Sequence, residues 1–193
     1  MPFLETILAE TGGFPYLSWH QQRLDRTLRR HGIGAAYRLE ALLVAPGEGR
    51  WRCRVVYDAG GVAVEYLPYT PRSVMRLRAL EDERIVYRDK TTDRGALEAL
   101  FARRGDADDV LIVQGGFITD TTVANVACLI GGRWLTPAQP LLEGTVRARL
   151  LSEGRLIEAD ITLDAARGAE KIAVMNALSG FVEVAGGILP ETI

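Results

Sequence analysis

The chain has 193 residues, a formal net charge of −2 and 48% apolar residues, enough to bury a real core in one large domain or two small ones. Charges of both signs are spread along it, leaving no basic stripe for nucleic acid, and no run approaches the roughly eighteen apolar residues of a membrane span. Two histidines and two cysteines, none at metal-ligand spacing, exclude a histidine-rich metal site; Met1–Glu5 lacks the regions of a signal peptide, and the reading is a soluble, cytoplasmic chain with buried thiols.

Residues Phe3 to Leu8 alternate and predict a strand, closed by Thr11-Gly12-Gly13. Ser18 is expected to start a helix, with Gln21 as the partner of a capping box and Leu17 as the staple. Leu24 and Leu28 share one face, and Gly32 ends the helix at C′. A short helix fits Leu39 to Val44. Trp51 to Tyr57 and Val62 to Leu67, joined by Asp58-Ala-Gly-Gly61, predict a hairpin. These elements make a small α/β domain over residues 1–67.

Two prolines in Pro68-Tyr-Thr-Pro-Arg72 disfavour helix and central strand, so residues 68–72 are expected to be a linker. A strand-rich domain then follows over residues 73–193. Met75, Leu77 and Ala79 alternate with Arg76 and Arg78 as a half-buried strand. Gly95 to Arg104 is helical. Strands are expected at Val110–Val113, Phe117–Thr119, Asn125–Ile130 and Arg133–Leu135, divided by Gly115-Gly116 and Gly131-Gly132. A helix over Gly144–Ser152 and strands at Leu156–Asp160, Ile172–Met175 and Phe181–Val184 complete it.

Lysine usage singles out one position. The chain carries 21 arginines but only two lysines, Lys90 and Lys171. Guanidinium stays protonated, whereas an ammonium can become the free amine needed for general-base or Schiff-base chemistry. Lys90 is the candidate for that chemistry; Lys171, before a strand, reads as a surface residue, and His20 as packing on a helix face. Three other features can be set beside Lys90. Glu143-Gly-Thr-Val-Arg147 opens a helix whose N–H groups suit a phosphate or simply need a cap. Asp120 ends a strand, as a partner for a protonated ring nitrogen or as a turn residue. Arg23 could fork to a phosphate, although five arginines lie between residues 23 and 38 and most must be solvated. An amine, an acid, an arginine and a helix N-terminus are together the parts that hold pyridoxal 5'-phosphate.

Gly116-Phe-Ile-Thr-Asp-Thr-Thr-Val-Ala-Asn125 and Leu142-Glu-Gly-Thr-Val-Arg147 resemble the signature of the class IV pyridoxal-phosphate enzymes, the aminodeoxychorismate lyases and the branched-chain and D-amino-acid aminotransferases. His20-Gln-Gln-Arg-Leu24 is similar to that family's first-helix motif, and Met175-Asn-Ala-Leu178 to its late phosphate-side loop in the lyase form. The resemblance implies the two-domain α/β (α+β) fold type IV, with pyridoxal phosphate between the domains, and a homodimer. It implies Lys90 as the Schiff-base lysine, and Arg23, Asp120, Asn125, Thr145, Val146, Asn176 and Ala177 at the cofactor. Leu4 and Thr6 are implied at an amino-acid-type substrate. The chain departs from the pattern where it begins and ends, which is expected to leave out a first strand and a substrate-side loop. It has Asp120 where the family has glutamate, Val146 for a threonine, and Gly95 where aminotransferases place a tyrosine. The implied reaction is release of pyruvate and 4-aminobenzoate from aminodeoxychorismate; transamination and a non-catalytic relative are the alternatives.

Overall fold

The computed structural model describes residues 1–71 and 74–190; Arg72, the last residue of the expected linker, lies outside them. The chain divides into two compact units, Met1–Pro71 with Asp89–Asp93, and Arg72–Arg88 with Arg94–Ile193. Lys90 therefore belongs to the first unit, although its flanking sequence belongs to the second.

The first unit is a three-stranded antiparallel sheet in the order β1-β2-β3, with β1 at Phe3–Ala9, β2 at Trp51–Asp58 and β3 at Gly61–Pro68. The period of two sends Phe3, Glu5 and Ile7 to one face, opposite Tyr57, Val55 and Cys53 of β2. Helix α1, Leu17–Arg30, covers that face with Leu24 and Leu28. Burying each such leucine is worth roughly 1.5–3 kcal/mol. A second helix, α2, spans Leu39–Leu42.

Three local expectations for this unit are corrected. Tyr16 is the N-cap of α1 in the left-handed region at φ 59°, without a side-chain cap, so Ser18 falls inside the first turn. Gln21 makes no capping box: its amide donates to Asp25 and the Tyr37 carbonyl, and its Oε1 accepts from Leu39 N–H. It thereby ties α1 to the start of α2. Helix α2 also stops short of Val44, whose N–H donates to the Tyr66 hydroxyl instead.

The second unit is an eight-stranded mixed sheet. β4 is Leu77–Glu81, β5 Asp109–Gln114, β6 Phe117–Thr121, β7 Asn125–Ile130, β8 Arg133–Pro137, β9 Ile157–Ala159, β10 Lys171–Asn176 and β11 Gly180–Glu183. Its main path runs β11-β10-β7-β6-β5-β4, with β8 paired to β7 and β9. The pairs β4–β5 and β8–β9 are parallel. Apolar residues bury both faces of β5: Leu111 and Val113 join one cluster, Val110 and Ile112 another. That explains the unbroken apolar run, since a strand covered on both sides has no polar face to alternate with. Helix α3, Gly95–Ala102, contributes Leu97 and Leu100; helix α4, Thr145–Ser152, contributes Val146 and Leu150.

The hairpin turns Gly115-Gly116 and Gly131-Gly132 have φ of 57°, 79°, 57° and 70°, the left-handed pair that a two-residue turn matched to strand twist requires. β4 begins later than its alternation suggests, because the N–H groups of Met75 and Arg76 both go to the Asp108 carboxylate at 2.9 Å. A short helix absent from the sequence reading, α5 at Leu163–Arg167, is capped by the Thr162 hydroxyl, which accepts from Ala165 N–H. Cys53 and Cys128 are buried free thiols, as expected. Lys171 is an exposed residue paired with Glu183.

Candidate active site

In the first unit the Lys90 segment lies along the outer edge of β1. Leu4 N–H donates to the Lys90 carbonyl at 2.7 Å and Thr92 N–H to the Pro2 carbonyl at 3.1 Å, and Phe3 bridges Thr91. Next to the lysine, Asp89 accepts from Arg30 at 2.7 Å and pairs with His31 at 2.8 Å. Three residues around Lys90 are thus fixed to β1 and to the C-terminal end of α1. Lys90 itself is half-buried rather than extended into solvent.

Arg23 is also buried, which separates it from its solvated neighbours on α1. It forks onto Glu5: Nε donates to Oε1 at 2.8 Å and Nη2 to Oε2 at 2.6 Å. His20, one helical turn back, places Nδ1 2.7 Å from the same Oε2. The carboxyl of Glu5 has no solvent exposure, yet it is held down at about 2: burial pushes it up, and the charge and hydrogen bonds of Arg23 and His20 outweigh that. An ionised carboxylate only accepts, so the Nδ1 of His20 carries the proton. Burial lowers the His20 pKa despite Glu5, and the charges of Arg23 and Lys90 lower it further. The ring is therefore neutral, with its proton on Nδ1. Burial likewise raises the Tyr57 hydroxyl, which lies within electrostatic reach of Glu5, Arg23 and Asp89. Leu4 and Thr6 alternate with Glu5 and so occupy the opposite face of the sheet; Leu4 is buried and Thr6 half-buried.

In the second unit the centre is Asp120 on β6. Its side chain is buried, its Oδ1 accepts from Asn125 Nδ2 at 2.7 Å, and its Oδ2 accepts from Leu142 N–H at 2.9 Å. Asn125 also donates to the Leu142 carbonyl at 2.8 Å. Burial pushes the Asp120 carboxyl up to about 7, against the lowering effect of these donors and of Arg147. It can therefore gain or lose a proton near neutrality, as the partner of a basic ring nitrogen would need to.

The segment from Leu142 leads through Gly144 into α4. A Cβ on Gly144 would run into Asn125 Oδ1, so glycine is what permits this approach. The N-cap of α4 is Gly144, which has no side chain to cap with, and the first N–H groups of the helix, at Thr145 and Val146, are the donors an anion would meet. Val146 packs its side chain into the core with Leu150 and Met175, so its contribution is the backbone and not a hydroxyl. Arg147 buries its guanidinium against the Pro137 carbonyl and Glu158. Asn176 and Ala177 follow Met175, the residue paired with Asn125 across β10 and β7. Asn176 Oδ1 accepts from Leu178 N–H, Ser179 N–H and the Ser179 hydroxyl. The structure thus gathers Asp120, Asn125, the start of α4 and the end of β10 around one sheet end. A titrating carboxyl beside a helix start whose N-cap is a glycine fits a phosphorylated pyridine.

Glu5 and Asp89 were not singled out in the sequence. Glu5 carried one signal: it alternates in phase with Phe3 and Ile7, so an acid stands on the buried face. Asp89 carried none, because its partners come from the far end of α1.

The family model for aminotransferase class IV matches residues 3–186. The chain belongs to the class IV aminotransferase family. It is 31% identical over 185 residues to an uncharacterised protein of Haemophilus influenzae, covering 93% of this chain and 98% of that one. Among solved structures it superposes with TM-score 0.84 and 29% identity on a protein of Haemophilus somnus, named provisionally a 4-amino-4-deoxychorismate lyase, covering 93% and 97% of the two chains. A Mesorhizobium loti protein, named provisionally an amino-acid aminotransferase, gives TM-score 0.82 and 26% identity, covering 97% and 99%. The mixed α/β architecture is that of the class IV aminotransferase and aminodeoxychorismate lyase fold. The family depends on pyridoxal phosphate. Among the described residues, no helix is long and apolar enough to cross a membrane.

Proposed function

We propose that the chain is a pyridoxal 5'-phosphate enzyme that acts at Cα of an amino-acid-type substrate through Lys90, and that its reaction is of the lyase type, giving 4-aminobenzoate and pyruvate from aminodeoxychorismate. The bound cofactor supplies an electron sink for the pair left at Cα. Lys90 would hold the cofactor through its amine, and its Nζ would move the proton at Cα. Asp120 holds a proton at the ring nitrogen, and Asn125 orients that carboxylate. Arg23, the N–H groups of Thr145 and Val146, and the segment at Asn176 and Ala177 bind the phosphate. Leu4 and Thr6 form the substrate wall. The working form is a homodimer in the cytoplasm, a reading supported by the family resemblance and the buried free thiols.

The observation that carries this reading is the buried Asp120 carboxyl, fixed by Asn125 and Leu142 and titrating near neutrality. Carboxyls shifted by burial and by specific partners concentrate at functional sites, where the chemistry needs a set charge state. The lyase form is supported by the Asn176-Ala-Leu178 segment and by the name given to the Haemophilus somnus protein. Transamination uses the same lysine, and the name of the Mesorhizobium loti protein favours it as the second reading.

Two experiments test this. Purified chain with pyridoxal phosphate should turn yellow, borohydride should bleach it and fix the cofactor to Lys90, and Lys90→Ala should stay colourless. Pyruvate and 4-aminobenzoate should then form from aminodeoxychorismate, while leucine or alanine with a keto acid exchange no amino group. A colourless wild-type chain would sink the cofactor reading; amino transfer without elimination would replace the lyase by the aminotransferase.

A further inference from the structure

We propose that Glu5 is a positioning residue for phosphate binding: its buried carboxylate locks the guanidinium plane of Arg23, so that the edge opposite the fork is presented to the cofactor phosphate. The inference rests on the reading of Arg23 as a phosphate ligand and assigns the group that aims it.

The geometry is specific. Nε and Nη2 of Arg23 meet the two oxygens of Glu5 at 2.8 and 2.6 Å, a two-point contact that fixes both the plane and the rotation of the guanidinium. His20 pins Oε2 from the side at 2.7 Å, so the carboxylate cannot swing with the arginine. His20 and Arg23 lie three residues apart on the buried face of α1, and Glu5 points from β1 with Phe3 and Ile7. The planar guanidinium carries a second edge, formed by Nη1 and Nη2, whose direction is set once the Nε edge is fixed on Glu5, and such an edge matches the geometry of a phosphate.

Stability alone accounts poorly for this arrangement. Buried ion pairs can often be exchanged for apolar residues of similar volume without loss, yet three polar side chains stand here at core positions among Leu24, Leu28 and Tyr57. Local violations of the apolar pattern concentrate where a protein keeps a function. What the cluster supplies is preorganisation: the side-chain ordering that a mobile arginine would undergo on binding is completed in the fold.

The test compares pyridoxal 5'-phosphate with pyridoxal, which lacks the phosphate, in titrations of the apo chain followed by absorbance. Glu5→Gln should lower the preference for the phosphorylated aldehyde by roughly tenfold or more, leaving pyridoxal affinity unchanged. If Glu5→Gln does not fold, Glu5→Asp, which keeps the charge but withdraws the fork by one methylene, should show the same loss. In an Arg23→Gln background, Glu5→Gln should change the preference no further, since both act through one guanidinium. An unchanged preference in a folded Glu5 variant overturns the inference, as does an equal effect of Glu5→Gln with and without Arg23. A wild-type chain that binds both aldehydes equally also overturns it, while leaving the role of Lys90 standing. If wild type binds neither aldehyde, the cofactor reading fails and inorganic phosphate decides: a rise in melting temperature lost in Glu5→Gln supports the role of Glu5, and no such rise overturns it.

Discussion

The N–H of Leu4 donates to the carbonyl of Lys90 at 2.7 Å. This bond makes the segment around Lys90 an added edge of the first sheet, and Thr92 and Pro2 extend it at 3.1 Å. The segment is held a second time from its other side, where Asp89 meets Arg30 and His31.

Asp89→Ala should therefore loosen the lysine segment without unfolding the chain. Arg30 and His31 are well exposed, so the expected loss of stability is about 1 kcal/mol or less. The local effect should be larger than the global one: amide exchange at Leu4 and Thr92 should speed up while that of β2 does not. Equal protection in variant and wild type would show that the backbone bonds suffice.

Gly144→Ala tests the approach between the start of α4 and Asn125. Its φ of −71° and ψ of 149° suit any residue, so the whole cost is the collision of the new Cβ with Asn125 Oδ1. Asn125 cannot turn aside without losing its bonds to Asp120 and Leu142. A destabilisation of about 1–3 kcal/mol is expected from this overpacking, with a fall in cofactor affinity, read by urea unfolding and by absorbance titration.

The pH dependence of stability should carry the sign of Asp120. Burial raises its folded pKa to about 7 from 3.8, so between those values the folded chain keeps a proton that the unfolded chain has lost. Its contribution is full below the lower value and is lost as pH rises through the window, by at most about 1.4 kcal/mol per pH unit. Glu5 has the opposite sign: with a folded pKa of about 2 against 4.5, its contribution is present above 4.5 and lost as pH falls. Asp120→Asn removes the first slope and leaves the second. Urea unfolding of both proteins across this range checks it, and parallel curves would contradict the burial argument.

His20 should be a neutral imidazole protonated on Nδ1 at pH 7, because Glu5 can only accept and burial opposes a second proton. Nitrogen NMR of the labelled ring reads the tautomer directly. Two protonated nitrogens at neutral pH would place a positive charge beside Arg23 and refute the assigned state.

Most strands were legible because alternation and glycine pairs act locally: Trp51–Asp58, Gly61–Pro68 and Asn125–Ile130 follow from neighbours along the chain. The start of α1 was not, since Tyr16 caps it from the left-handed region and Gln21 serves α2. Helix α5 was missed because its five residues hold too few apolar positions to show a period, although Thr162 is an ordinary cap.

Lysine scarcity, the motif around Asp120 and the glycine before α4 are matters of residue type and order, and the sequence by itself determined them, with the family and the candidate residues. The partners of those residues were decided by the tertiary structure. Glu5 beneath Arg23, Asp89 between Arg30 and His31, and the burial that lifts Asp120 arise from chain segments far apart in order. Charge state and aim depend on which groups surround a side chain and how far water is kept away, and those are properties of the packed molecule.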